Sequence, residues 1–230
     1  MRDPSPEEIA APVDWSAWYL TDEEDMGESV DQSDILGILL SALGELIARR
    51  GWQNVYCSGD NFFAWVPGEH LVRVSPDAYL LDDPPPPPRP KSWQTWLPGH
   101  KPPRWALEVV SEEWKNDYEE KPAKYAQLGA LELVIFDPEA AMAGGGKSPN
   151  RVPLQIYRRG ADGAFVRVYW GDGPAYCQQL DAWVLSKPEG KAARLRIALD
   201  AAGTDIVPTA QERARELEAL VAKLQAGSNP

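Results

Sequence analysis

Trp105-Ala106-Leu107-Glu108-Val109-Val110-Ser111 is a run of large and small apolar residues interrupted by a single acid. Its length and β-branched content predict a buried strand, and the acid within it needs a partner, because an ionised carboxylate removed from water is costly. A divalent cation, a lysine or a retained proton would each serve. Two further stretches offer such partners. Leu71-Val72-Arg73-Val74-Ser75-Pro76-Asp77 is a second strand-like run that ends on an acid, and Asp117 to Tyr125 carries Lys121 and Lys124. Two carboxylates and a cation along one apolar scaffold form a metal-site pattern.

Upstream, Asp31-Gln32-Ser33-Asp34 offers N-caps for a helix from Ile35 to Arg50. Its apolar positions are Ile35, Leu36, Leu39, Leu40, Leu43, Leu46 and Ile47, and Arg49-Arg50 and Gly51 close it. From Trp52 the period shortens to strand-like runs at Val55–Cys57, Phe62–Val66, Leu71–Val74 and Ala78–Leu81, with turns at Gly59-Asp60-Asn61 and Pro67-Gly68. Downstream, a helix is expected over Tyr118–Leu128, beginning close to Pro122 because only a first turn tolerates the missing N–H, and capped by Gly129. Leu131–Phe136 reads as a further strand, and Leu154–Arg159 with Phe165–Trp170 as a hairpin around Gly160–Gly163. Tyr176, Leu180, Trp183 and Val184 complete the core. Helical patterns are expected at 190–202 and at 210–226, the latter amphipathic through Leu217, Leu220, Val221 and Leu224.

Residues 82–104 interrupt this order with Pro84–Pro88, which cannot join a central strand, and then mix tryptophan with cations. Arg89, Lys91, Trp93, Trp96, Lys101 and Arg104 are candidate nucleic-acid contacts, since stacking and phosphate tracking use these types together. The favoured alternative is a rim loop whose tryptophans anchor on the core.

The 230 residues form one large domain with appendages: an acidic, proline-rich arm at 1–20, a domain at 21–186 with the 82–104 insertion, and a helical tail at 187–230. The formal charge is −12, but residues 1–34 hold eleven acids against Arg2 alone, so the rest is nearly balanced and nucleic acid is not excluded as a partner. Cys57 and Cys177 stand apart, and neither they nor His70 and His100 have zinc-type spacing. Ala143–Ser148 lacks the first glycine of a phosphate loop. No apolar run suits a membrane span, so no membrane partner and a cytoplasmic location are the default.

Strand, Ser75-Pro76-Asp77, strand with Glu108, then a helix with lysine and Tyr125-Ala126 resembles the PD-(D/E)xK nuclease superfamily. Gly129 through Glu132 to Phe136-Asp137-Pro138, and Gly27-Glu28 before the first helix, are similar to its restriction-endonuclease-like Uma2 branch. The resemblance spans about Tyr19 to Val184. It implies an α/β (α+β) fold: a restriction-endonuclease-like core with a mixed central β-sheet flanked by helices, plus an extra hairpin and a C-terminal amphipathic helix. It further implies a magnesium-dependent (or manganese-dependent) endonuclease acting on DNA. Asp77 and Glu108 would be metal ligands and Lys121 the catalytic lysine, with Glu28, Lys124 and Tyr125 in support. Where the superfamily's lysine lies two residues after the acid this chain has Val110, so the lysine comes from thirteen residues beyond Glu108. Asp31-Gln32 stands where the branch often has a histidine. The alternative is a nuclease-fold protein that acts as an interaction module, and a homodimer is left open.

Overall fold

In a computed structural model, residues 30–111, 114–142, 150–190 and 192–227 are described. The acidic arm, Glu28 and the Ala143–Ser148 loop lie outside them. The first helix, α1 (Val30–Arg50), starts five residues earlier than its apolar pattern predicts. Ile35, Leu36, Leu39, Leu43 and Leu46 form a nearly water-free stripe along it. It ends where Gly51 takes a positive φ of 64°.

Four short strands follow: β1 (Val55–Ser58), β2 (Phe62–Ala64), β3 (Arg73–Val74) and β4 (Ala78–Asp82). The 82–104 insertion contributes one strand of its own, β5 (Ser92–Gln94), which pairs in parallel with β2. After β6 (Trp105–Val109) the chain crosses through α2 (Trp114–Glu119) and α3 (Lys121–Leu128) to β7 (Glu132–Phe136). The expected single helix is thus two short ones broken at Glu120, as a proline at position 122 requires. Gly129, at φ 96°, caps α3.

A short helix α4 (Pro138–Ala141) leads to β8 (Leu154–Arg159) and β9 (Phe165–Gly171). These last two form the hairpin expected from the sequence, but it is no separate appendage. It completes a six-stranded sheet of order β1-β4-β6-β7-β8-β9, in which β6 and β7 are parallel and every other pair is antiparallel. β10 (Ala175–Cys177), β11 (Ala182–Glu189) and β12 (Ala192–Ala198) make a second, antiparallel sheet, and α5 (Ala210–Gly227) ends the described chain.

β12 corrects the helix expected at 190–202, and with it the view that everything after residue 186 is a helical tail. Ala193, Leu195 and Ile197 are buried and alternate with Arg194 and Arg196, the two-residue period of a strand. Alanine, leucine and arginine are all good helix formers, so propensity pointed the wrong way until pairing with β11 overrode it.

The alternation of the central sheet sorts the core into two layers. Leu80, Leu107, Val109, Val134, Phe136 and Ile156 face α1 and the second sheet. Tyr79, Ala106, Val110, Leu133 and Ile135 face the other way, toward Tyr125 and Leu128 of α3 and the small sheet that holds Phe63 and Trp93. A mixed sheet covered by helices is the architecture expected from the sequence.

Candidate metal centre

Register brings the two strand acids together. Ala78 pairs with Leu107 and Tyr79 with Ala106, so Asp77, one step before β4, falls opposite Glu108. Opposed residues of an antiparallel pair share a face, and their Cβ atoms lie about 5 Å apart. Glu108 alternates with Leu107 and Val109, which face α1, and so projects toward α3. There Lys121 Nζ donates to Glu108 Oε2 at 2.6 Å, and the Tyr125 hydroxyl donates to Glu108 Oε1. Lys121 opens α3 and Tyr125 follows four residues later, the spacing that puts both on one helix face.

Each of these groups is held by another. Asp77 Oδ2 accepts the Val109 backbone N–H at 2.6 Å, and its Oδ1 accepts Gln32 Nε2 of α1 at 3.0 Å. Lys121 is shared with Asp117, whose Oδ1 lies 3.0 Å from Nζ. Asp117 is itself buried and accepts the Ser111 N–H at 2.9 Å and the Ser111 hydroxyl at 3.3 Å.

Charge at this site is unbalanced: three carboxylates converge on one lysine. Burial, and next the repulsion of Glu108, push the Asp77 carboxyl well above its ordinary value, although Lys121 and the Val109 N–H pull it down. Burial likewise raises Glu108, against the charge and hydrogen bond of Lys121 and the bond from Tyr125. Burial works against the charge on Lys121, but Glu108, Asp117 and Asp77 outweigh it and raise its pKa. Tyr125, buried beside Glu108, is raised well above 10 and stays a donor. A site that is short of positive charge can accept a cation or hold a proton.

A family model described as "Putative restriction endonuclease", Uma2, matches residues 23–173. The chain belongs to the Uma2 family. Among solved structures, it is similar to a "putative nuclease belonging to DUF820" from Anabaena variabilis ATCC 29413, at 12% identity and a TM-score of 0.46, over 67% of this chain and 75% of that one. No curated protein matches it.

In this Uma2 chain the lysine that reaches Glu108 is Lys121. Lys124 is buried on the same helix and pairs with Glu120 at 3.5 Å. Glu28 lies outside the described residues. Several of the insertion residues have partners within the fold. Trp93 is 1% exposed, packs on Phe63 and donates from Nε1 to the Tyr79 hydroxyl at 3.1 Å. Arg89 lies over the Tyr56 ring and bonds the Pro85 carbonyl. Arg104 pairs with Asp82 and Lys101 with Asp83, each at 3.0 Å. Lys91 is exposed, and Trp96 is half-buried with its ring 6.3 Å from that of His70.

Two residues of the cluster were not singled out from the sequence. Asp117 precedes Lys121 by four residues, and that spacing was the available signal. Gln32 carries no charge and precedes the first apolar turn of its helix, so its only signal was its place, with Asp31, where the resembled branch often has a histidine.

Proposed function

We propose that this chain is a metal-dependent endonuclease that hydrolyses phosphodiester bonds of DNA. Asp77 and Glu108 would hold a magnesium or manganese ion. The observation that carries the reading is the opposed pair of half-buried Asp77 and buried Glu108, both with raised carboxyl pKa values, beside Lys121. Among the described residues no three acidic, histidine or cysteine side chains are grouped to enclose an ion by themselves. Two carboxylates nonetheless fit magnesium, a hard cation that keeps several of its waters. Membership of a family whose description reads "Putative restriction endonuclease" supports nucleic acid as the substrate class.

Bound there, the ion would supply neutralising charge to the scissile phosphate and acidify a water. The chain supplies the rest. Val109 N–H and Gln32 fix Asp77, while Tyr125 fixes one oxygen of Glu108. Lys121, a cation held between Glu108 and Asp117, is positioned to stabilise charge developing on a phosphoryl oxygen. Glu108 is the second-last residue of β6, near the carboxyl end of the parallel pair β6 and β7, the customary ligand side of such strands.

A second reading, a nuclease fold retained as an interaction module, is favoured by one observation: Lys121 is already engaged by two carboxylates. Incubation of supercoiled plasmid and single-stranded DNA with magnesium or manganese separates the two. The endonuclease reading expects nicking that EDTA stops, that Glu108→Gln abolishes and that Lys121→Met lowers by roughly a hundredfold or more. DNA left intact under all these conditions, or cut equally by Glu108→Gln, supports the interaction module.

A further inference from the structure

The terminal helix is tied to the body at its start. Thr209 and Glu212 form a capping box, with Thr209 N–H donating to Glu212 Oε2 at 2.7 Å and Glu212 N–H to Thr209 Oγ1 at 3.1 Å. Arg196 of β12 grips the same glutamate through two bonds of 3.1 and 2.7 Å, and Ala210 N–H donates to Ser41 Oγ of α1 at 2.9 Å. From Arg213 to Gln225 every residue is exposed, including Leu217 at 46%, Leu220 at 52% and Val221 at 51%. Large aliphatic residues this open to water on a preformed helix mark a contact surface.

Their spacing specifies the contact. Ala210, Ala214, Leu217, Val221 and Leu224 follow one another by four, three, four and three residues, which is the a/d alternation of a coiled coil. Val221 takes an a position and Leu217 and Leu224 take d positions, the assignment that favours two parallel strands. In that register Arg213 is a g position and Glu218 the e position five residues on, so a parallel in-register pair sets Arg213 of each copy against Glu218 of the other. An antiparallel pair matches g with g and e with e and loses both contacts. Leu220, at the second g position, widens the apolar seam.

We propose that this helix pairs with its counterpart in a second copy of the chain as a short parallel coiled coil, making the protein a homodimer. Two heptads are few, and an isolated helix of this length is marginal in water. Here the capping box and the Arg196 clamp order the first turn beforehand, so less entropy remains to be lost on pairing.

Sedimentation equilibrium on the full chain, from low micromolar to submillimolar concentration, tests the pairing. The expected result is a concentration-dependent dimer that Leu217→Lys with Val221→Lys abolishes at unchanged far-UV circular dichroism. Arg213→Glu alone and Glu218→Arg alone each weaken it by roughly tenfold through two like-charge contacts, and the two together restore it. A chain monomeric at every concentration overturns the proposal and leaves the stripe to another protein or to its own chain. A dimer indifferent to the lysine substitutions, or one that the double reversal fails to restore, also overturns it.

Discussion

Asp77 is the residue whose surroundings matter most, because its carboxylate is fixed by two donors while burial and Glu108 oppose its ionisation. A carboxyl with a raised folded-state pKa binds its proton more tightly folded than unfolded. It therefore contributes stability that is complete below the unfolded value and lost as pH rises through the folded one. In EDTA, Asp77→Asn should gain in melting temperature relative to the parent as pH climbs through that window, and magnesium should close the gap by stabilising the parent. A difference that stays constant with pH would show that Asp77 does not ionise against its surroundings. At this scale the sequence exposed what was chemically anomalous. A lone acid in an apolar run is conspicuous, so Glu108 and Asp77 could be read directly, and Lys121 through the resemblance. Asp117 sits among other polar residues, where burial leaves no mark on the sequence.

Elements set the distances between these residues, and one glycine sets where β4 begins. A Cβ on Gly59 would lie 2.1 Å from the Asp77 carbonyl oxygen, and the next residue, Asp60, bonds the Pro76 carbonyl at 3.1 Å. Only glycine lets the β1–β2 turn come so close to the Pro-Asp segment. Gly59→Ala should therefore cost about 1–3 kcal/mol in urea unfolding, as overpacking does, and should weaken cation binding by displacing Asp77. Parent-like stability and affinity would mean that the turn does not support the site. The sequence marked this turn but not the contact, which joins residues eighteen apart through folding. The same limit explains β12: its alternation was present, but helix-favouring side chains concealed it until β11 supplied the backbone partner.

At the scale of the whole molecule, the order β1-β4-β6-β7-β8-β9 places the acid-bearing segments beside each other and the lysine helix across one face. The resemblance carried that arrangement because apolar runs, a Pro-Asp and a lysine helix survive in order along the chain. The second sheet had no comparable signature. Net charge is concentrated in the first 34 residues, so the remainder can approach a polyanion with little overall repulsion. No described helix is long and apolar enough to cross a membrane. On the proposed reading, Asp77 and Glu108 together take a divalent cation in the negative charge that Lys121 leaves unmatched. Isothermal titration of manganese into the parent, Asp77→Asn and Glu108→Gln at slightly alkaline pH tests it most directly. The expected result is one saturable site in the parent, with proton release on binding, and a loss of roughly a hundredfold or more in affinity in each variant. Equal manganese binding by all three proteins, or none by the parent, would contradict it.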